Sequence, residues 1–286
     1  MTTPTSGLLL VDKPAGLTSQ QAVTHVRKTL GASRAGHTGT LDPFATGLLI
    51  VLVGRATRLA PFVSDNPKEY EALIRFGVET DTDDSTGVPQ RTAPPPHADA
   101  VRSALGTLTG DIDQQPPVFS AKHVAGERAY RLARKGRPSQ LASVRVRVER
   151  WDVVEQTDDT IRARIVCLGG TYIRALARDL GRLTESAAHC AELRRLRCGA
   201  FSVADAVPPD RAQPSDLRPA VEAVAGMPTE RVDAVAALGI AHGRPTGATV
   251  PGHWAALVTE AAELVAVAER EGDQWHPRVV LSGPGS

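Results

Sequence analysis

The sequence lacks any apolar run long enough to cross a membrane. Its longest uninterrupted stretch, residues 48–53, is six residues long, whereas a membrane-spanning helix needs about 20. Residues 1–7 carry no basic side chain, although a secretory signal begins with a positively charged segment. We therefore expect a cytoplasmic protein without a membrane partner.

Cysteine is scarce, and the patterns that hold metals are missing. The three cysteines, Cys167, Cys190 and Cys198, are odd in number and form no C-x-x-C pair, which disfavours a disulfide framework and a zinc site. The eight histidines include no H-E-x-x-H or H-x-x-x-H pair, so no metal is expected. The aspartates at positions 81, 83 and 84 do not fit a calcium loop, because its glycine and closing glutamate are misplaced. We interpret them as an acidic turn at a strand end.

The near-zero net charge does not exclude a polyanionic partner, because the charges are unevenly distributed along the chain. The formal net charge is +1, yet residues 120–150 contain nine Lys or Arg and two acidic residues, and residues 162–197 contain eight Arg and three acidic residues. Residues 65–87 show the opposite bias, with seven acidic and two basic residues. A basic middle is expected where one face of a protein meets phosphates. The alternative is that these arginines only solvate exposed faces.

What the sequence does contain is a mixture of strand and helix patterns. Hydrophobic residues make up 42% of the 286 positions and charged residues 23%, which suits one large domain with an appendage, or two domains. Short apolar runs and strict alternation predict strands. The predicted strands are residues 7–11, 48–53, 68–76, 144–149 and 161–165.

Helix signals separate these strands. Thr18 and Gln21 form a capping box ahead of an amphipathic stretch that stops at Gly31. Residues 97–110 are helical in pattern, and residues 127–135 predict a short basic helix that ends at Gly136.

The helix predicted after Gly170 has two different faces. Thr171 is its expected N-cap, and its apolar residues follow the i, i+3, i+4, i+7 spacing of a helix that faces a core. Arginines at positions 174, 178 and 182 recur on another face, where like charges repel. We therefore expect an acidic group opposite at least one of them.

The C-terminal part of the chain differs from the rest. Five prolines interrupt residues 208–228, and we interpret this stretch as a linker or a loosely structured helix pair. Beyond it, spaced glycines and short alternating runs predict a small β domain. We therefore divide the chain into a main domain at residues 1–225 and a C-terminal domain at residues 229–286.

The densest cluster of polar residues, glycine and proline is segment 36–47, GHTGTLDPFATG. It is not a phosphate-binding loop, because no Lys-Ser or Lys-Thr follows its second glycine. Taken alone, Asp42 before Pro43 is an ordinary turn residue. The glycines allow backbone to approach a ligand closely, so the segment is also a candidate site.

Six further stretches accompany this segment in a fixed order. They are DKPAGLTS at 12–19, KEY at 68–70, QPP at 115–117 with SAK at 120–122, RAY at 128–130, GTYIR at 170–174 and LRRL at 193–196. Together with residues 36–49, this set resembles the TruB family of tRNA pseudouridine synthases over residues 7–205. One short match carries little information, whereas the ordered set is specific to the family.

The resemblance implies both a fold and a reaction. The fold is α+β: a pseudouridine synthase domain with a mixed, mainly antiparallel sheet flanked by helices, followed by a small β-rich PUA-like domain. The substrate is uridine 55 in the T-loop of transfer RNA (tRNA), flipped out of its stack. Its C1′–N1 bond breaks, and C5 of the turned base bonds to C1′, giving pseudouridine. No cofactor is implied, the partner is the T-arm of tRNA, and a monomer is expected.

The resemblance also assigns catalytic residues. Asp42 matches the catalytic aspartate, whose ionised carboxylate attacks the nucleotide or stabilises positive charge on the sugar. Attack on C1′, attack on C6 and a glycal route all stay open. Arg174 matches the arginine that pairs with this aspartate and favours its ionised form. Tyr70 matches the tyrosine that stacks on the target base, although its alternation equally suits a core residue.

Other matched residues concern RNA binding. His37 matches the residue that fills the space left by the flipped base, and Lys13 a phosphate contact. Further substrate-binding residues are expected at Thr38, Tyr172 and Leu196. RNA phosphate contacts are expected at Arg128, Arg131, Arg134, Lys135, Arg194 and Arg195. Such contacts position RNA without reading its sequence and make binding salt-dependent.

Two rival functions remain possible on the same scaffold. A non-catalytic RNA-binding or chaperone protein keeps the basic surface but has no need for Asp42. An RNA N-glycosylase instead frees the base and adds water. The product separates the three, because the rivals leave intact uridine or an abasic site, whereas a synthase gives an isomer of unchanged mass.

Overall fold

The computed structural model describes residues 6–64, 67–119, 123–124, 127–128 and 141–281. Strands and helices both contribute, which confirms the predicted α+β class. The helices are α1 (Ser19–Thr29), α2 (Ala60–Ser64), α3 (Ala98–Thr107), α4 (Ile173–Leu183) and α5 (Ala234–Ala241). The strands are β1 (Gly7–Lys13), β2 (Ala35–His37), β3 (Thr46–Val53), β4 (Lys68–Phe76), β5 (Val78–Thr80), β6 (Pro89–Thr92), β7 (Gly110–Gln114), β8 (His123–Val124), β9 (Glu127–Arg128), β10 (Val144–Gln156), β11 (Thr160–Cys167), β12 (Ala188–Cys198), β13 (Phe201–Ser202), β14 (Thr229–Val232), β15 (Thr246–Gly247), β16 (Trp254–Thr259), β17 (Leu264–Glu271) and β18 (Gln274–Val280). No helix in the described ranges has both the length and the apolar character that crossing a membrane requires.

One large sheet forms the centre of the fold. Among the described residues it has nine strands, in the order β1-β3-β12-β4-β11-β10-β7, with β2 beside β3 and β13 beside β12. Its pairings are antiparallel except that of β12 with β3, which is parallel. The predicted mixed, mainly antiparallel sheet is therefore confirmed. Because β12 lies between β3 and β4, the loop that enters β3 comes close to side chains of the two other strands.

The five strands predicted from the sequence coincide with β1, β3, β4, β10 and β11. On β4, buried residues alternate with more exposed ones along the whole strand, because one face meets the core and the other faces solvent. β3 is buried on both faces from Gly47 onward, which explains its unbroken apolar run.

Three helices cover one face of the large sheet. α1, α3 and α4 bury apolar side chains in one core with the inward face of β4. On α4, Ile173, Leu176, Ala177 and Leu180 are at most 4% exposed, as their spacing predicts. This packing fixes the N-terminus of α4 on the face of the sheet that Tyr70 also faces.

The capping box predicted for α1 is confirmed. Thr18 Oγ1 accepts a hydrogen bond from the Gln21 backbone N–H, and Gln21 Oε1 accepts one from the Thr18 backbone N–H. This arrangement satisfies two donors that a helix start otherwise leaves without partners. The first helix and the loop that follows it are therefore placed by local sequence.

Two helix predictions are corrected. The N-cap of α4 is Tyr172, whereas Thr171 Oγ1 donates to the Leu168 carbonyl oxygen at 3.0 Å. The short basic helix predicted at residues 127–135 is wrong at its start, because Glu127–Arg128 is a strand paired with β8. The remainder of that prediction lies outside the described residues.

The proline-rich stretch 208–228 packs along β1. The backbone of Leu8 exchanges two hydrogen bonds with that of Arg218, at 3.1 and 2.8 Å. The stretch contains two short 3₁₀ helices, Pro214–Asp216 and Ala220–Val224. It is therefore not the loosely structured connection that the prolines suggested, since β1 supplies backbone partners.

The other face of the large sheet is covered by the C-terminal part of the chain. In the described residues, β14 to β18 form a separate five-stranded sheet, so the predicted β-rich tail is confirmed. Leu8, Leu48 and Ile50 of the large sheet share one apolar core with Val258 and Val267 of the smaller one. Both sheets thus rely on the same buried surface.

A buried carboxylate ties the smaller sheet together. Glu230 is 6% exposed and accepts hydrogen bonds from Thr249 N and Oγ1, Val250 N and Trp275 Nε1 at 2.6 to 3.1 Å. Burial alone raises the pKa of Glu230, but these hydrogen bonds outweigh burial and lower the pKa to about 2. The ionised form is therefore part of the folded structure.

Glu230 is expected to make stability depend on pH. Its folded pKa lies below the unfolded value, so its stabilisation is complete above about pH 5 and is lost as the pH falls towards 2. A shift from 4.5 to about 2 corresponds to roughly 3 kcal/mol. Urea unfolding at pH 7, 5 and 3 should therefore show that the free energy of unfolding falls less for Glu230→Gln than for the wild type as the pH is lowered. The same change at the exposed Glu260 is the control, and an equal pH response of wild type and Glu230→Gln contradicts the assignment.

Candidate active site

The loop between β2 and β3 is held by contacts with the start of the chain. Ser19 Oγ donates to the Leu41 carbonyl oxygen at 2.9 Å and accepts from the Leu41 N–H at 2.8 Å. The Gly16 N–H donates to the Pro43 carbonyl oxygen at 2.8 Å. Asp42 is therefore fixed by its neighbours on both sides.

Gly47 allows the end of this loop to approach β12. Its φ is +99°, and a Cβ atom here would lie 2.3 Å from the Arg195 carbonyl oxygen. Glycine alone adopts this conformation without strain and leaves this space free. Because Gly47 pairs with Arg195, the loop and β12 border the same space.

Lys13 is buried and supports the loop. Its Nζ donates to the carbonyl oxygens of Pro14, Leu17 and Pro43 at 2.9, 2.8 and 3.4 Å, and its side chain is fully enclosed. Burial lowers the pKa of Lys13 to about 8, although the Asp42 carboxylate acts in the opposite direction. The prediction that Lys13 contacts a phosphate is wrong, because its ammonium group is bonded to backbone and does not reach the surface.

Asp42 and Arg174 form a bidentate ion pair. Arg174 Nε donates to Asp42 Oδ2 at 2.8 Å, and Arg174 Nη2 donates to Asp42 Oδ1 at 3.2 Å. The Arg174 side chain is 4% exposed, whereas that of Asp42 is 34% exposed. Such a two-point contact fixes the plane of the carboxylate. Asp42 thus presents a charged group to open space while its counter-ion is enclosed.

The other donors of Arg174 are used as well. Nη1 donates to the Thr82 carbonyl oxygen at 2.6 Å and lies 3.4 Å from Asp84 Oδ2, and Nη2 donates to the Phe119 carbonyl oxygen at 2.9 Å. A guanidinium has five N–H donors in one rigid plane, so these contacts set its orientation. The acidic turn predicted after β5 is therefore part of this site.

A cavity of about 280 Å³ opens beside the ion pair. This volume lies just below the range for ligand pockets, which begins at roughly 300 Å³. Six predicted site residues line it: Thr38, Asp42, Tyr70, Tyr172, Arg174 and Arg195. The first turn of α4 lines the same cavity, and the partial positive charge of this helix end favours anionic groups there. Among the described residues, no cluster of three or more His, Cys, Asp or Glu side chains could hold a metal ion.

Tyr70 lies on the inward face of β4, in the cavity wall. It is 7% exposed, and burial raises the pKa of its hydroxyl to about 12, with the nearby Arg195 guanidinium acting in the opposite direction. The phenol is therefore protonated at neutral pH. It offers a flat apolar ring together with one hydrogen-bond donor.

Arg195 forms part of the cavity wall. It is 3% exposed, and it donates from Nε to the Leu48 carbonyl oxygen at 2.6 Å and from Nη2 to the Gly39 carbonyl oxygen at 3.1 Å. Arg195, predicted to contact an RNA phosphate, is therefore not a side chain of the outer surface. Its guanidinium instead joins β12 to the loop that carries Asp42.

Two predicted binding residues lie away from the cavity lining. Leu196 falls at a bulge in the pairing of β12 with β4, and Leu193, which is 7% exposed, lines the cavity instead. His37 ends β2 and is partly buried, where its Nδ1 accepts a hydrogen bond from the Gly39 N–H at 3.4 Å. Leu193 therefore joins the cavity lining, and the roles of Leu196 and His37 in RNA binding stay predictions.

The remaining predicted phosphate contacts fall into two groups. Arg194 is 39% exposed and donates to both carboxylate oxygens of Asp12, at 3.0 and 2.8 Å, so part of its charge is neutralised. Arg128 belongs to β9. Outside the described residues lie Arg131, Arg134 and Lys135.

Among the described residues, several arginines in the middle of the chain are paired with acidic side chains across the sheet. Arg145 and Arg147 of β10 lie opposite Asp113 and Asp111 of β7, at 3.3 and 3.1 Å. Arginines of β11 contact acidic residues of β4 and β12 in the same manner. These strands therefore do not form a uniformly basic face, and exposed pairs of this kind add little stability.

Sequence comparisons place the chain in one family. The family described as "TruB family pseudouridylate synthase (N terminal domain)" matches residues 27–173. A "tRNA pseudouridine synthase B" from Gluconacetobacter diazotrophicus is 43% identical over 252 residues, 84% of this chain and 82% of the relative. One from Thermobifida fusca is 41% identical over 292 residues, 97% and 99% of the two chains. The chain belongs to the TruB family.

The TruB-family fold is supported by a solved structure. The match, described as "Structure of H/ACA RNP bound to a substrate RNA containing 2'-deoxyuridine", has a TM-score of 0.75 and covers 99% of this chain and 87% of that chain. Its sequence identity is 22%, so the likeness concerns the fold. The predicted pseudouridine synthase fold is confirmed.

Several site residues of this TruB-family protein were not predicted. Lys68 is 7% exposed and lines the cavity, and its position two residues before Tyr70 puts it on the same strand face. Leu193 is likewise two residues before Arg195. Alternation could have indicated both residues. Thr82 and Asp84 gave no comparable signal, because only the tertiary fold brings their turn to α4.

Proposed function

We propose that this protein converts uridine 55 in the T-loop of tRNA to pseudouridine. The observation that carries the proposal is the partly exposed Asp42 carboxylate, held by the enclosed Arg174 guanidinium at the wall of a cavity of about 280 Å³. Family membership supports the reaction, and relatives named tRNA pseudouridine synthase B support the RNA class. A base inside a folded loop cannot reach a carboxylate in a cavity wall, so the base leaves its stack first.

The proposed roles follow from charge and position. Asp42, ionised beside Arg174, attacks the nucleotide or stabilises positive charge on the ribose. Tyr70 stacks on the base, and Tyr172, Thr38 and Leu193 bound the space in which the base turns. The C1′–N1 bond breaks, C5 bonds to C1′, the proton displaced from C5 passes to solvent, and N1 takes up one proton from solvent. Atoms and electrons balance within the uridine, and the route uses neither metal nor cofactor.

The RNA partner is proposed to be the T-arm. Arg128, Arg131, Arg134 and Lys135 are proposed to contact its phosphates, which positions the loop without reading sequence. We further propose that residues 229–286 form a PUA-like domain beside the catalytic domain at residues 1–225. The protein is proposed to act as a monomer in the cytoplasm.

Product analysis on one substrate tests this function. Unmodified tRNA carrying tritium at uridine C5 should release close to one tritium per molecule to water, with the mass of the RNA otherwise unchanged. A tRNA in which position 55 is cytidine is the matched control and should release none. Retained tritium would favour a non-catalytic RNA-binding protein, and an abasic site would favour an N-glycosylase.

A further inference from the structure

Three arginines on one face of α4 each have an acidic partner, and we call them the arginine row. The partners are Asp42 and Asp84 for Arg174, Asp83 for Arg178, and Glu79 for Arg182. The row begins at the cavity and ends at Arg182, which is 51% exposed. The expectation that at least one of these arginines faces an acidic group is therefore met by all three.

The middle pair of the row is the most enclosed. The side chains of Arg178 and Asp83 are 7% and 8% exposed, and Arg178 Nη1 donates to Asp83 Oδ2 at 2.9 Å. Placing two charges in the interior is costly unless geometry is favourable, and removing one partner leaves the other uncompensated. Neither residue lines the cavity, so this pair requires an explanation other than contact with substrate.

Asp83 occupies the centre of the turn that grips Arg174. Its φ is +60°, a left-handed conformation that non-glycine residues adopt only at an energetic cost. The residue before it offers the Thr82 carbonyl oxygen to Arg174, and the residue after it offers the Asp84 carboxylate. The contact of Asp83 with Arg178 thus holds a strained turn in the shape that presents both acceptors.

Arg178 also holds a second segment that contacts Arg174. Arg178 Nη2 donates to the Gln115 carbonyl oxygen at 2.8 Å. Arg174 Nη2 donates to the carbonyl oxygen of Phe119, four residues after Gln115, at 2.9 Å. Successive arginines of the row therefore bind the two ends of residues 115–119. Displacing Arg178 loosens both this stretch and the acidic turn.

We propose that Arg178 is a positioning residue for the isomerisation: by holding Asp83 and the Gln115 carbonyl, it fixes the two segments that orient Arg174 and, through it, the Asp42 carboxylate. The proposal rests on the proposed function of the same site. It assigns Arg178 an effect on the chemical step and none on the affinity for RNA.

The pair also gives the proposal a pH signature. Burial raises the pKa of Asp83 to about 6, while Arg178 and Arg174 act in the opposite direction. The charged groups around Asp83 are Arg174, Arg178, Arg182 and Asp179 on α4, and Glu79 and Asp84 on its own segment; β12 contributes the neutral thiol Cys190. Above pH 6 Asp83 is ionised and pairs with Arg178, and below it the pair is lost. In the wild type, kcat should therefore fall as the pH drops through about 6.

The test compares kcat and KM on tRNA labelled at uridine C5 for Arg178→Gln, Arg178→Lys and Asp83→Asn. Arg178→Gln and Asp83→Asn should lower kcat about 10- to 100-fold with KM within threefold of the wild type. Arg178→Lys, which keeps the charge but not the planar fork, should recover part of the loss. The acid limb near pH 6 should be missing in Asp83→Asn. Arg182→Gln removes the next ion pair of the same helix and should stay within twofold.

Thermal unfolding shows whether a loss of activity comes from a misplaced Arg174 or from a variant that does not fold. If Arg178→Gln does not fold, the double variant Asp83→Asn with Arg178→Gln removes the uncompensated charge and should show the same loss in kcat. A kcat within threefold of the wild type in the folded variants, or an equal loss for Arg182→Gln, overturns the role of Arg178. A wild type that forms no pseudouridine instead overturns the proposed function.

Discussion

Asp42→Asn is expected to lower the rate of pseudouridine formation at least about 1,000-fold, equivalent to ~4 kcal/mol, while RNA affinity stays within threefold. Asparagine keeps the size of the side chain, but it removes the negative charge that the bidentate contact with Arg174 holds at the cavity. The measurement is single-turnover release of tritium from uridine C5, with affinity determined in parallel by filter binding.

Asp12→Asn provides a closely matched control for this variant. Asp12 also accepts two hydrogen bonds from one arginine, Arg194, and its side chain is 31% exposed against 34% for Asp42. It does not line the cavity. Its activity should stay within threefold of the wild type. Full activity in Asp42→Asn, or equal losses in both variants, would reject Asp42 as the reacting carboxylate.

Replacing Arg174 is expected to have the second largest effect. Arg174→Ala removes the counter-ion of Asp42 and leaves the buried Asp84 without a cation, which costs roughly 3 to 5 kcal/mol of stability. Arg174→Lys keeps a positive charge but cannot serve Asp42, Thr82 and Phe119 together, because an ammonium group lacks the planar fork. We expect kcat to fall about 100-fold in Arg174→Lys, with KM within threefold.

Steady-state kinetics and urea unfolding together check this expectation. Arg182→Lys, at the half-exposed end of the arginine row, is the control and should leave both kcat and the free energy of unfolding close to the wild-type values. Parallel losses of turnover and RNA affinity in a folded Arg174→Lys protein would show that Arg174 serves binding in general and not the chemical step.

The strands, the first helix and the segment around Asp42 could be predicted because their signals are local. Alternation along β4, the capping box at Thr18 and the glycine-rich approach to β3 all depend on neighbours within a few residues. Pairing Asp42 with Arg174 required the family resemblance, since these residues are 132 positions apart in sequence. Neither spacing nor composition indicates such a contact.

The errors concern residues whose position depends on distant partners. Lys13 looks like a surface lysine until the carbonyl oxygens of the β2–β3 loop close around it. Leu193 was not predicted for a different reason. β12 carries two bulges, near Ala191 and near Leu196, so its alternation holds only over the few residues between them, which include Leu193 and Arg195. The prolines of residues 208–228 indicated an irregular backbone but not its docking on β1.

Because the two sheets share one apolar core, the C-terminal sheet at residues 229–280 is part of the support of the large sheet. Arg55 and Arg58, just after β3, donate to the carbonyl oxygens of Leu281 and Val280 at 3.1 and 2.7 Å, and Phe62 meets Trp254 edge-to-face. Cutting the chain after residue 225 would therefore expose the apolar face of the large sheet that the smaller sheet covers, and would favour aggregation. A truncated variant would first need polar substitutions on that surface.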